Sequence, residues 1–163
     1  MEECDLPALV EEALRLQEGA LRQAGITVSR ELCPLPPVRT DKHQVLKILL
    51  NLLSNARQAM ESQAPERPRR LVIRLSAEGG WVSLQVVDTG KGIASEVRPR
   101  LFTQGFTTRE GGHGIGLHSS ALAARLMHAH LSLDSGGPGL GATATLLLPL
   151  APEPSQEGRT EGD

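Results

Sequence analysis

Apolar residues at Leu6, Leu9, Val10, Ala13, Leu14, Leu21 and Ala24 recur at the spacing of one helical face, with Asp5 placed as an N-cap and Gly25 as a stop. From Ile26 to Leu32 the pattern changes to alternation (Ile26, Val28, Arg30, Leu32), which predicts a strand. The Pro34–Pro37 stretch separates that strand from a second helix, opened by Asp41 with Gln44 three residues on. Its apolar stripe runs through Val45, Ile48, Leu49, Leu52, Ala56, Ala59 and Met60. After a turn at Ala64–Pro68, strands are predicted over Arg70–Ala77 and Trp81–Asp88, joined by Gly79-Gly80 as a hairpin. Residues 89–113 read as loop, rich in Gly and Thr, with one short helix near Ser95–Leu101. A helix over Gly114–Met127 and strands over His130–Asp134 and Ala142–Pro149 complete the pattern. From Ala151 no apolar period remains, and Glu153, Glu157, Glu161 and Asp163 face only Arg159, so residues 151–163 are expected to be a disordered acidic tail.

Strands joined mostly as hairpins, with helices to cover them, predict an α+β fold: a two-layer α/β sandwich whose mixed, mostly antiparallel sheet is covered on one face. A dinucleotide-binding or P-loop fold fits poorly. The run Gly112-His113-Gly114-Ile115-Gly116-Leu117 lacks the third glycine of the dinucleotide fingerprint, and Gly90-Lys91-Gly92 lacks the spacing and hydroxyl of a Walker loop.

With 163 residues the chain has the length of one domain. Its 17 Lys+Arg against 19 Asp+Glu give a formal charge of −2, which removes the electrostatic case for nucleic-acid binding. Lys47, Asn51 and Asn55 interrupt the longest apolar run, so no segment suits a membrane span. The acidic start, Met1 to Asp5, does not resemble a signal peptide. Cys4 and Cys33 make neither a disulfide framework nor a zinc set; reduced thiols in a cytoplasmic domain are the expectation.

Rare residues are clustered. The two asparagines, Asn51 and Asn55, sit four apart in one predicted helix, and the two phenylalanines, Phe102 and Phe106, sit four apart in one loop. Asn is a poor helix former, so two on one face of an apolar helix need a partner. An amide oxygen is a neutral hard ligand for Mg²⁺; alternatively both amides bond a neighbouring loop's backbone. Asp88-Thr89-Gly90-Lys91-Gly92 follows a strand directly. There a carboxylate could accept a purine amine while glycines let the backbone approach the ring, or the stretch is simply a turn. The glycines from Gly111 to Gly116 precede a helix, where exposed N–H groups form a natural phosphate cradle; the other reading is a loop without a ligand. His113 and His118 do not share a helical face, so they make a poor metal pair.

Taken in order, these segments resemble the ATP-binding domain of sensor histidine kinases, in the superfamily shared with gyrase, Hsp90 and MutL (the Bergerat-type fold). The matching stretches are Asn51-Leu52-Leu53-Ser54-Asn55-Ala56 (the N box) and Asp88-Thr89-Gly90-Lys91-Gly92-Ile93 (the first glycine box). Leu101 to Thr108 follows as the F box, then Gly112–Leu117 and Gly139-Leu140-Gly141-Ala142-Thr143 as the later glycine boxes. The resemblance implies that Asn55 binds the Mg²⁺ bridging the phosphates and that Asn51 supports it. Asp88 would accept the adenine N6 hydrogen, Gly90, Gly92 and Ile93 would line the base, and residues 102–116 would form an ATP lid. Within that lid Phe106, Thr107, Thr108 and Arg109 would approach the nucleotide, Arg109 as the candidate lid cation. Gly112, His113, Gly114, Ile115, Gly116 and Leu117 would hold the phosphates.

The sequence departs from that pattern at three places. The often basic, phosphate-facing position is Gln58, the often aromatic next position is Ala59, and Ala142 follows Gly141 where Thr is common, leaving Thr143 as the candidate base contact. The implied reaction is transfer of the ATP γ-phosphoryl group to a histidine on a separate dimerisation domain, with ATP and Mg²⁺ required, ADP as product and a response regulator downstream. None of the five histidines lies in an His-Glu-x-x-x-Pro-like helix, so the acceptor is expected outside this chain. Residues 1–25 would then be a connecting helix from that domain and 26–150 the ATP-binding domain, monomeric in isolation. Competing readings are an ATPase of the gyrase/Hsp90/MutL kind, an anti-sigma-type protein serine kinase, and a nucleotide-binding scaffold without transfer. The ATPases use a glutamate one turn before the metal asparagine to activate water, and Asn51 stands in that place.

Overall fold

The computed structural model describes residues 2–93 and 115–150, with side chains described for all of these except residues 115 and 116. The elements run β1 (Glu2–Cys4), α1 (Leu6–Gln23), β2 (Thr27–Leu32), β3 (Val38–Thr40), α2 (Lys42–Glu61), β4 (Arg70–Glu78), β5 (Trp81–Asp88), α3 (Ile115–Leu126), β6 (His130–Asp134) and β7 (Ala142–Pro149). The expected short helix near Ser95–Leu101 and the expected disordered tail lie outside the described residues.

Five strands form one sheet in the order β2-β4-β5-β7-β6. Only the β2–β4 pair is parallel, joined through α2 as a crossover; the other three pairs are antiparallel. The α+β expectation is therefore met, and the three helices among the described residues share one core with the inward face of the sheet. Period two along β4, β5 and β7 sends Leu71, Ile73, Leu75, Val82, Leu84, Val86, Ala144, Leu146 and Leu148 inward, all buried. They meet Val45, Ile48, Leu49, Leu52, Leu53, Ala56 and Met60 of α2 in one core.

Both long helices begin as the sequence predicts. The Asp5 carboxylate accepts the Ala8 N–H at 3.1 Å, and the Asp41 carboxylate accepts the Gln44 N–H at 3.2 Å. α1 buries Leu6, Leu9, Val10, Ala13, Leu14 and Leu21 in that same core, so the segment expected to connect domains is packed onto this one. Two three-residue strands went unpredicted: β1 and β3 pair antiparallel as a separate small sheet. Three residues are too few to display alternation, so only their pairing reveals them.

Candidate functional site

The inward series Val82, Leu84, Val86 continues to Asp88, so the strand's own alternation carries a carboxylate to the end of the buried face. Side chains shrink around it. Ala142 and Ala144 of β7, Ala56 and Ala59 of α2, and Gly92 leave a cavity where larger residues would have closed the core. Asn55, Leu52, Val86, Lys91, Ile93, Leu117 and Leu133 complete its walls. Asn55 and Asp88 thus share one cavity, approached from the helix layer and the sheet respectively.

Asp88 is only 9% exposed. Burial pushes its carboxyl from the ordinary 3.8 up to about 6, against the opposing pull of the Gly90 and Ala142 backbone amides. The Gly90 N–H donates to Oδ1 at 2.8 Å. The segment after β5 is tied down on both sides. The Lys91 N–H donates to the Ala59 carbonyl of α2 at 3.2 Å, and the Gln63 amide donates to the Thr89 carbonyl at 3.2 Å. Side chains are excluded at two points: a Cβ on Gly90 would lie 2.7 Å from the Ala59 carbonyl carbon, and one on Gly92 would lie 2.1 Å from the Gly137 oxygen.

Of the residues singled out from sequence, the structure brings Asn55, Asp88, Gly92, Ile93 and Leu117 to the cavity. Gly90 acts beside it through its N–H. Asn51 is elsewhere: its Nδ2 donates to Ser120 Oγ on α3 at 3.0 Å, and Ser120 is 2% exposed. Gln58 turns back along its own helix, donating to Ser54 Oγ at 3.3 Å, and is not a cavity wall. Thr143 falls on the opposite face, because its neighbours Ala142 and Ala144 take the cavity side. Phe106, Thr107, Thr108, Arg109, Gly112, His113 and Gly114 lie outside the described residues; Ile115 and Gly116 are the first residues of α3. Leu117 on the cavity wall puts the start of α3, whose first N–H groups have no partner within the helix, beside the cavity.

The sequence reading missed Lys91 and the small apolar walls. Their signal was available in phase: Ala142 and Ala144 share the inward register of Leu146, and Ala59 stands four residues beyond Asn55. Among the described residues, no group of three or more His, Cys, Asp or Glu could hold a metal ion; the side-chain oxygen donors on the cavity wall are the Asn55 amide and the Asp88 carboxylate. No helix among the described residues is long and apolar enough to cross a membrane.

Comparison with known proteins matches residues 40–152 to the family model described as Histidine kinase-, DNA gyrase B-, and HSP90-like ATPase. The signal transduction histidine-protein kinase AtoS of Escherichia coli is 34% identical over 158 residues, covering 95% of this chain and 25% of AtoS. The sensor protein FixL of Bradyrhizobium diazoefficiens is 33% identical over 150 residues, covering 91% of this chain and 29% of FixL. The chain thus spans only a quarter to a third of the length of these relatives. Among solved structures, the nucleotide-free catalytic domain of histidine kinase ThkA superposes with a TM-score of 0.81 at 24% identity, covering 94% of this chain and 99% of that one. Full-length ShkA in complex with AMPPNP gives 0.80 at 28% identity, covering 91% of this chain and 31% of ShkA.

Proposed function

We propose that this chain, which belongs to the histidine kinase-, DNA gyrase B- and HSP90-like ATPase family, binds Mg-ATP and donates the γ-phosphoryl group to a histidine on a separate dimerisation domain of a sensor kinase. The observation that carries this reading is the single cavity shared by Asn55 and Asp88, otherwise walled mainly by apolar side chains. Such walls suit a flat, weakly hydrated purine, and the buried Asp88 carboxylate supplies an acceptor for its amine. Likeness to AtoS, a histidine-protein kinase, and to ShkA, solved with an ATP analogue, supports the same assignment.

The residues fit the roles that a magnesium nucleotide requires. Asp88, held by the Gly90 amide, accepts the base N–H, while Gly92, Ile93 and Ala59 press on the ring. Asn55 offers a neutral amide oxygen to the metal, which when bound neutralises phosphate charge. The start of α3, with Gly116 and Leu117, attracts the phosphates through the positive end of the helix. On the family resemblance alone, Phe106, Thr107, Thr108, Arg109, Gly112, His113, Gly114 and Ile115 are assigned to phosphate binding in this reading. These groups position the nucleotide for in-line transfer; none is asked to act as acid or base. A hydrolytic reading is disfavoured because Asn51, one turn before Asn55, is an amide whose Nδ2 is engaged by Ser120. This reading carries with it a cytoplasmic domain, monomeric in isolation, with its dimerisation domain and a response regulator as partners.

Two measurements test this. Calorimetric titration of Asn55→Ala is expected to show ATP affinity that no longer rises on adding Mg²⁺; an equal Mg²⁺ enhancement in the variant would remove Asn55 as the metal ligand. Incubation of the chain alone with labelled ATP is expected to leave it unlabelled, and a labelled band would overturn the separate acceptor.

A further inference from the structure

The loop from Ser135 to Gly141 meets the segment after β5 backbone to backbone. The Gly139 N–H donates to the Lys91 carbonyl at 2.6 Å, and the Gly141 N–H donates to the Gly90 carbonyl at 3.2 Å. One side chain is inserted in this junction. The Ser135 hydroxyl accepts the Ile93 N–H at 3.0 Å and the Gly137 N–H at 3.1 Å. It donates to the Gly141 carbonyl at 2.6 Å, with the Gly137 carbonyl at 3.2 Å as a second acceptor. A hydroxyl has one proton and two lone pairs, so Ser135 is fully used. Arg67 adds one contact, donating from Nη2 to the Gly139 carbonyl at 3.2 Å.

The two segments joined there are the two that hold the Asp88 carboxylate, through the amides of Gly90 and Ala142. We propose that Ser135 is a positioning residue for purine recognition: its hydroxyl locks the Ser135–Gly141 loop onto the Gly90–Ile93 segment, so that both amides meet Asp88 and Ile93 lies against the base. The proposal rests on the reading that this cavity takes adenine. Ser135 is itself absent from the cavity wall and acts through the two backbones it joins. Without its hydroxyl, the Ile93 and Gly137 N–H groups and the Gly141 carbonyl lose a shared partner, and the recognition edge loosens while the hydrophobic core is untouched.

The test measures binding of adenosine, ADP and GDP to the full chain, with thermal unfolding alongside. Adenosine is included because it reports the base subsite without phosphate or metal. Ser135→Ala is expected to weaken adenosine about five- to twentyfold and to lower the ADP-over-GDP preference by a similar factor, from the loss of about one to two hydrogen bonds. Its unfolding midpoint should fall by less than about 4 °C. Ser135→Thr, which keeps the hydroxyl, should recover most of the affinity and preference. If Ser135→Ala does not fold, Ser135→Cys, which keeps the volume and donates only weakly, is read by the same criteria. Unchanged adenosine affinity and base preference, or a fall in the midpoint with preference intact, would overturn the inference and leave the ATP reading standing. A wild-type chain that binds neither adenosine nor ADP would overturn both.

Discussion

Asp88→Asn should separate stability from binding: adenine-nucleotide affinity falls about 10- to 150-fold, while the unliganded chain becomes harder to unfold at neutral pH. The first effect follows from replacing a charged acceptor with a neutral one in a buried bond, a loss of about 1.5–3 kcal/mol. The second follows from burial. In the folded chain the carboxyl is raised from 3.8 to about 6, so the native state holds the proton more tightly than the unfolded state does. That preference favours the folded chain below pH 4, is lost as pH climbs through 6, and leaves a cost of about 2–3 kcal/mol at pH 7. An amide keeps the shape and carries no charge, so the variant should lose this dependence and unfold about 5–10 °C higher at pH 7. Thermal unfolding of both proteins at pH 4 and pH 7 checks the sign, because the difference between them should shrink at the lower pH. A variant that unfolds earlier than the wild type at pH 7 would mean that the carboxylate is better compensated than its burial indicates.

Gly141→Ala is expected to be among the most damaging single-methyl changes near the site, alongside Gly92→Ala, which meets the same φ and the same clash distance. Gly141 has φ +73°, and a Cβ there would lie 2.1 Å from the Asp88 carbonyl oxygen. Relief requires the first residues of β7 to part from β5, which breaks the Gly141 N–H bond to Gly90 and removes the Ala142 amide from Asp88. Gly25 is the internal control. Its φ is +72°, nearly the same, but nothing lies within 4 Å of a Cβ placed on it. Gly25→Ala should therefore cost only the backbone strain of about 1 kcal/mol. Gly141→Ala should exceed that by at least about 2 kcal/mol and lose nucleotide binding. Urea unfolding of the two variants, together with ADP titration, makes the comparison; equal destabilisation would show that the β5–β7 junction yields without cost.

Periodicity made most of this fold legible. The boundaries of α1, α2, β4, β5, β6 and β7 follow from apolar spacing, caps and turns, because each element buries one face and its sequence records that face. The site was legible where chemistry coincides with such a pattern: Asp88 is in phase with Val86, and Asn55 lies on the helix face that continues to Ala59. It was illegible where a contact joins distant segments. Nothing local to Asn51 indicates that its Nδ2 bonds Ser120, 69 residues away. Only the motif points to Thr143, whereas alternation from Ala142 and Ala144 turns it to the other face. Ser135 carries no motif signal in isolation; its part emerges only when Ile93, Gly137 and Gly141 are seen around it.

The placement of Asp88 by alternation along β5 makes recognition sensitive to chain length in a way that composition would not reveal. A single residue inserted between Val82 and Val86 would turn the carboxylate out to solvent and bring Val87 into its place, silencing the pocket without altering any residue that lines it. Extra residues at Gly79-Gly80, at the far end of the hairpin, would leave that phase intact. Deletions and insertions in descendants of this chain should therefore accumulate at the turn and be purged from the strand.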